Sequence, residues 1–168
     1  MMLGIGDDLV SIYLNDHLAG ATLGANLAGR AAASNEGTDY GTVLNAIAGE
    51  IEEDRAALMD VMRRLSVGQD HLKTALAWAA ERAGRLKFNG QLRGYSPLSR
   101  LEELETLSLG VEGKLALWRA LRRTHESDPR LAAVDLDELI DRARSQRRRL
   151  ERLRERAADE ALSPKPLD

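Results

Sequence analysis

Four long segments of the chain repeat apolar residues at alternating steps of three and four, which is typical of amphipathic helices that bury one face. The first segment runs from about Asp8 to about Ala33. The second begins at Thr38 or Asp39, either of which can cap a helix, and continues to about Leu65. The pattern therefore predicts a first pair of helices joined by a short turn.

The third and fourth segments are expected to form a second pair. The third begins at Ser96, which precedes a proline suited to the first turn of a helix, or one turn later at Ser99. Asp135 and Glu138 resemble a capping box at the start of the last helix. Residues 163–168, which include two prolines, are predicted to form a flexible tail, so residues 1–162 make up a single helical domain.

The connection from Val67 to Ser96 contains a shorter helical pattern, which begins at Asp70 and continues to about Arg85. A connection of this length can return along the whole bundle. In this order of elements the chain resembles the ferritin-like superfamily, and residues 13–20 (YLNDHLAG) are similar to bacterial proteins of that general shape. The resemblance covers about residues 8–161. It implies an all-α, ferritin-like bundle of four long helices with a short helix in a long crossover.

Each long segment carries a polar residue near its middle, where the pattern calls for an apolar one. These residues are His17, Asp54, Gln146 and either Ser108 or Glu112. With a rise of about 1.5 Å per residue and a crossover, His17, Asp54 and Gln146 lie about 3–4 Å to one side of the midpoint of the bundle. Glu112 lies about 1–2 Å to the same side, whereas Ser108 lies about 4–5 Å to the other. We therefore expect a buried polar layer of His17, Asp54, Glu112 and Gln146.

Polar groups inside a bundle need partners, so this layer is predicted to be either a hydrogen-bond network that fixes helix register or a metal site. Ferritin-like dimetal proteins use Glu-x-x-His pairs on two of their helices. The chain departs from this pattern, because Glu50 and Glu53 stand in place of such a pair and Gln146 is a poor ligand. The first interpretation is a network with no cofactor. The alternative implied by the resemblance is a degenerate iron or manganese site with these ligands: His17, Glu50, Asp54 and Glu112.

Arginine is concentrated in the last segment, most densely at Arg147, Arg148 and Arg149. A solvated helix face is the simplest interpretation. A site for phosphate or nucleic acid is an alternative, because basic surfaces dominate such affinities, and the acidic surface of a partner protein is another. The net charge of −3 gives no general case for nucleic acid.

Glycine is frequent in the first segment, at Gly20, Gly24 and Gly29. Each glycine costs a helix about 1 kcal/mol relative to alanine, and a closely packed neighbouring helix is the natural compensation. We therefore expect self-association, as a homodimer, through this helix.

Three further features of the sequence exclude several classes of function. The chain has no cysteine, which removes thiolate chemistry and any sign of an oxidising compartment. Its least charged stretch, residues 18–33, is too short and too polar to span a membrane, so a cytoplasmic protein is expected. No Ser/His/Asp spacing, P-loop or dinucleotide-binding glycine pattern occurs. The sequence thus favours a small, non-enzymatic protein that acts through association.

Overall fold

Four long helices dominate the structure, which is a computed structural model describing residues 5–69, 77 and 95–164, with side chains from Leu9 onward in the first range. The helices are α1 (Ile5–Ser34), α2 (Asp39–Arg64), α3 (Pro97–His125) and α4 (Leu136–Leu162), and a 3₁₀ turn covers Pro129–Leu131. The described residues contain no strand. The prediction of an all-α protein with four long helices is therefore confirmed. Within these described ranges, no helix is both long enough and apolar enough to cross a membrane.

The side chains that begin three of the helices are those expected from the sequence. Thr38, Ser96 and Asp135 each accept a hydrogen bond from the backbone N–H three residues further on, at 3.1, 3.1 and 2.9 Å. Such a bond satisfies a donor that the first turn of a helix leaves without a partner. Of the alternatives considered, Thr38 rather than Asp39 caps α2, and Ser96 rather than Ser99 caps α3.

The turn between α1 and α2 is attached to the start of α3 through a buried side chain. The amide nitrogen of Asn35 donates to the carbonyl oxygen of Ala31 (2.8 Å) and to the hydroxyl of Tyr95 (2.6 Å). Its amide oxygen accepts from Nε of Arg100 at 2.7 Å. A Cβ atom added to Gly41 would lie 2.2 Å from the Asn35 carbonyl oxygen, so this close turn requires glycine there.

Ion pairs at both ends of α3 and α4 fix the relative direction of these two helices. Arg100, near the start of α3, pairs with Glu160, near the end of α4, at 2.8 Å. Arg122, near the end of α3, pairs with Asp137, at the start of α4, at 2.9 Å. The two helices are therefore antiparallel.

The direction of α2 follows from its contacts with α4. Asp39 at the start of α2 lies 3.5 Å from Arg156, and Glu53 lies 2.7 Å from Arg142, which is earlier in α4. The helices α2 and α4 are thus antiparallel, as are α1 and α2 across their short turn. Consequently α1 and α4 run one way, while α2 and α3 run the other. The end of α2 and the start of α3 lie at opposite ends of the bundle.

Two parts of the prediction lie outside the described residues. The short helix expected from Asp70 to Arg85 coincides with a range in which only Ala77 is described. The expected tail at 163–168 is described only for its first two residues.

Two apolar clusters fill the interior, one toward each end of the bundle. The cluster that we name after Trp118 includes Leu14, Leu18, Leu58, Val61, Leu115 and Ile140. The cluster that we name after Tyr40 includes Ala28, Leu44, Ile51, Leu104, Val111 and Leu150. On α2, α3 and α4 one polar residue stands between the members of the two clusters: Asp54, Lys114 and Gln146. These three residues form the centre of the candidate site.

Candidate functional site

Asp54 is the most deeply buried charged side chain in the centre of the bundle, with 2% of its surface exposed. Its Oδ2 accepts hydrogen bonds from Nζ of Lys114 at 2.5 Å and from Nε2 of Gln146 at 3.0 Å. Nε of Arg142 lies 2.8 Å from its Oδ1. A carboxylate buried between two apolar clusters is costly unless it is paired and hydrogen-bonded. Lys114 and Gln146 hydrogen-bond its Oδ2, and Arg142 adds an ion pair, although Oδ1 of Asp54 and Nε of Arg142 are buried without a hydrogen-bond partner among the described residues.

Gln146 connects the members of the layer to one another. Its amide oxygen accepts from Lys114 at 2.5 Å, and its amide nitrogen donates both to Asp54 and to Oε2 of Glu50, the latter at 3.1 Å. The side chain is fully buried, and donors and acceptor are all in use. Asp54 and Gln146 were both identified from the sequence, and the structure brings them together.

Lys114 supplies the contribution of α3 to the layer, and it was not identified from the sequence. Only 13% of its side chain is exposed. Burial lowers the pKa of its ammonium group below the usual value for lysine, although the Asp54 carboxylate acts in the opposite direction. The signal is visible in retrospect, because Lys114 interrupts the regular apolar series that contains Leu107, Val111, Trp118 and Leu121.

Glu112 does not take the place that was predicted for it. Its side chain is 51% exposed and pairs with Arg147 on the surface between α3 and α4, at 2.9 Å. Glu112 is two residues from Lys114, and two residues rotate a side chain by about 200° around a helix with 3.6 residues per turn. Ser108, the other candidate, donates from its hydroxyl to the carbonyl oxygen of Leu104 in its own helix, at 2.8 Å. The prediction of Glu112 as a buried member is therefore corrected to Lys114.

A shell of ion pairs surrounds the layer on the side of α2 and α4. Glu50 pairs with Arg149, and Arg142 bridges Asp54 and Glu53. Burial acts to raise the pKa of Glu50, but the hydrogen bonds from Arg149 and Gln146 outweigh it and lower that pKa below its usual value. Layer and shell together contain three cations and three carboxylates, so they are electrically balanced: Lys114, Arg142, Arg149, Glu50, Glu53 and Asp54.

His17 lies on α1 beside the layer and is half-buried. Its ring makes an edge-to-face contact with Tyr13, with 4.6 Å between ring centroids. Burial lowers the pKa of the imidazole below 6.5, against the opposing effect of Asp16. Within the described part of the chain, no hydrogen bond joins His17 to Asp54 or Gln146.

The four ligands that were considered for iron or manganese do not converge. Glu112 is on the surface, while Glu50 and Asp54 are engaged by Lys114, Arg142 and Arg149. Protein cations thus provide the positive charge that a metal ion would bring to these carboxylates. Among the described residues, no group of three or more His, Cys, Asp or Glu side chains is placed to hold a metal ion.

The three consecutive arginines of α4 face different surroundings. Arg147 pairs with Glu112, and Arg149 pairs with Glu50 and donates to the carbonyl oxygen of Ser145. Arg148 is exposed. Two of the three guanidinium groups considered for anion binding therefore take part in pairs with the protein's own carboxylates.

Comparison with known proteins adds no relative: the chain matches no protein-family model, no curated protein and no solved structure at a significant level.

Proposed function

We propose that this protein is a non-enzymatic helical bundle that acts through association, and that it forms a homodimer through the glycine-rich helix α1. The observation that carries this proposal is a group of exposed apolar side chains on that helix. Leu9, Ile12 and Tyr13 are 63%, 49% and 36% exposed. Their spacing places them on one side of the helix, where contact with a second copy would remove them from water.

The charge pattern of α1 supports a second copy as the partner. Between Leu9 and Gly29, Asp16 is the only acidic or basic residue apart from His17. Asp16 lies on this face, three residues after Tyr13, so two copies avoid like-charge repulsion when the twofold axis passes near Leu9 and Ile12. Gly20 lies on the same side of the helix as Leu9, and an added Cβ atom there would meet nothing within 4 Å, so this position leaves room for close approach.

The size of the face limits how strong this dimer can be. Residues 9–29 form about 30 Å of helix, and α1 with the adjoining edge of α3 is about 20 Å wide. The contact would then bury about 600 Å² on each copy, at the low end for specific interfaces. We therefore expect a reversible dimer whose population depends on concentration.

The buried layer supports the non-enzymatic part of the proposal. Lys114 and Gln146 both hydrogen-bond Oδ2 of Asp54, and the surrounding ion pairs balance the charges of the layer. A network of this kind has a structural use, because sliding of α2, α3 or α4 would break its hydrogen bonds.

The ferritin-like classification also belongs to this proposal. It is supported by the shared direction of α1 and α4, the opposite direction of α2 and α3, and the position of the end of α2 relative to the start of α3. Iron or manganese binding and anion binding are not part of it, because most of the side chains considered for them are in ion pairs within the protein: Glu50, Asp54, Glu112, Arg147 and Arg149. The cytoplasmic location remains a prediction.

Sedimentation equilibrium tests the association. The average mass of the unmodified protein should rise toward that of a dimer between about 1 and 100 μM, as expected for an interface of this size. The double substitution Leu9→Glu/Ile12→Glu should keep the protein monomeric. Leu162→Glu is the matched control, because Leu162 is 65% exposed but lies on α4. A monomer at every concentration, or equal dimerisation of the double variant, would overturn the proposal.

A further inference from the structure

The exposed apolar row of α1 continues into a histidine. Leu9, Tyr13 and His17 are spaced four residues apart, which places them side by side along one face of the helix. The rings of Tyr13 and His17 are in edge-to-face contact, with 4.6 Å between their centroids and 71° between their planes. The proposed contact extends along residues 9–29, so it includes this histidine. An ionisable side chain therefore belongs to the surface that would meet a second copy.

The interior beside His17 offers no free carboxylate. His17 lines a cavity of about 230 Å³ between α1, α2 and α3, to which α2 contributes Asp54 and Arg55 and α3 contributes Lys114. Asp54, the only carboxylate among these residues, is already in ion pairs with Lys114 and Arg142. No described residue of α4 lines the cavity. A positive charge on His17 would thus join two cations in the wall and find no unpaired acid there.

Two ionisable side chains of α1 itself lie next to the imidazole. Burial lowers the pKa of His17 below 6.5, and the exposed Asp16 acts in the opposite direction without cancelling that effect. Burial also raises the pKa of Tyr13 above 10.0, so this phenol stays neutral over the range in which the histidine titrates. The imidazole of the monomer is therefore neutral near neutral pH and takes up a proton as the solution becomes acidic.

Dimerisation and protonation of His17 oppose each other. A second copy that covers Tyr13 also removes water from the imidazole in contact with it, and loss of water disfavours the charged form. The dimer consequently binds the proton less readily than the monomer. By linkage, the affinity of the dimer is complete where the imidazole is neutral in both states, and it falls as the pH is lowered through the pKa of the monomer.

We propose that His17 makes the homodimer sensitive to pH, so that two copies associate near neutral pH and separate under mildly acidic conditions. This inference rests on the proposed dimer through α1. Each dimer contains two copies of His17, so dissociation takes up as many as two protons. The response to pH is then steeper than that of a single histidine.

Sedimentation equilibrium of the full-length protein at about pH 7.5 and about pH 5.5 tests this dependence. The dissociation constant of the dimer should be at least about tenfold larger at the lower pH, because two groups take up protons on dissociation. His17→Gln keeps a polar side chain that stays uncharged, so its dissociation constant should be equal at both pH values. Asp16→Asn is the matched control, because it removes the neighbouring charge from the same face. This variant should keep the dependence and shift it to lower pH, since Asp16 raises the pKa of His17.

Titration of the His17 ring by NMR is a second measurement, and it needs no substitution. The midpoint of the titration should move to lower pH as the protein concentration is raised through the range in which the dimer forms. Circular dichroism at the lower pH should show intact helices, so that dissociation is distinguished from unfolding.

The inference is overturned if the unmodified protein dimerises equally at both pH values, or if its dimer is tighter at the lower pH. Retention of the dependence in His17→Gln, or a titration midpoint that does not change with protein concentration, also overturns it. These results leave the dimer through α1 intact. A monomer at every concentration at the higher pH overturns both the dimer and its dependence on His17.

Discussion

Replacing Lys114 with methionine removes the contribution of α3 to the buried layer. Methionine has a similar length but no charge, so Asp54 loses the hydrogen bond from Nζ, and Gln146 loses the donor to its amide oxygen. Removing one partner of a buried ion pair typically costs about 3–5 kcal/mol. Because Asp54 keeps Arg142 and the amide nitrogen of Gln146, we expect the lower end of this range, about 3 kcal/mol.

Urea unfolding followed by circular dichroism measures this loss. With a slope of about 2 kcal/mol/M, a loss of about 3 kcal/mol lowers the unfolding midpoint by about 1.5 M. Arg122→Met is the matched control, because it removes a cation from the exposed pair with Asp137, and such pairs contribute at most about 1 kcal/mol. Both variants lose one positive charge, so the difference between their free energies of unfolding measures the effect of burying the ion pair.

A double substitution distinguishes two causes of the destabilisation: the loss of the ion pair itself and the cost of leaving the Asp54 carboxylate buried without that partner. In Asp54→Leu/Lys114→Met the buried carboxylate and its cation are both absent, and Arg142 keeps its pair with Glu53. Replacing a whole buried pair with apolar residues is often neutral or stabilising. The double variant should therefore be more stable than Lys114→Met alone. The reasoning would be refuted if Lys114→Met and Arg122→Met lose equal amounts of stability. It would also be refuted if the loss of stability in the double variant equals the sum of the losses in its two single variants.

Two further substitutions test the turn and the histidine beside the layer. Gly41→Ala should destabilise the protein by about 2 kcal/mol or more, because its Cβ atom would lie 2.2 Å from the Asn35 carbonyl oxygen. Gly49→Ala is the control and should stabilise the protein by up to about 1 kcal/mol, because an added Cβ atom there meets nothing within 4 Å. Thermal unfolding of both variants measures the difference. Burial lowers the pKa of His17 in the folded state, so below pH 6.5 the unfolded chain binds the proton more readily and stability should rise as the pH is raised through that region. His17→Gln should flatten this part of the stability curve, and a slope that His17→Gln does not alter would contradict the prediction.

The sequence contained most of the information about the helices. Capping residues and apolar periodicity located the starts of α2, α3 and α4, because both signals are local and depend on few neighbours. Asp54 and Gln146 were identifiable as buried for a similar reason. Each interrupts a single, unambiguous apolar series in its helix, so only one choice of buried face was available.

The buried face of the third helix was ambiguous because two overlapping series of apolar residues run along it. One series includes Ser108 and Leu115, the other includes Leu107 and Lys114, and the structure buries parts of both. A lysine is also rarely fully buried, which makes it an unexpected member of a core. Its burial depends on Asp54 and Gln146, which lie far away in the sequence, so its position in an apolar series of α3 does not by itself show that it is buried.

The open space beside Gly20 and Gly24 could not be predicted from the sequence for a different reason. Glycines in α1 are equally compatible with close packing of a neighbouring helix and with open space. The distances around Gly20 and Gly24 decide between these possibilities, and they depend on how far the other helices approach. The close packing expected as compensation is therefore not found at these two positions within the described structure.

The metal content of protein purified without chelator is the measurement that tests the central claim most directly. That claim is that the carboxylates of the layer are neutralised by the protein's own cations, above all by Lys114 and Arg142. We predict that any iron or manganese is substoichiometric and that Asp54→Ala and Glu50→Ala leave the amount unchanged. One or more equivalents of metal per chain, lost in either variant, would contradict the claim and indicate a metal centre.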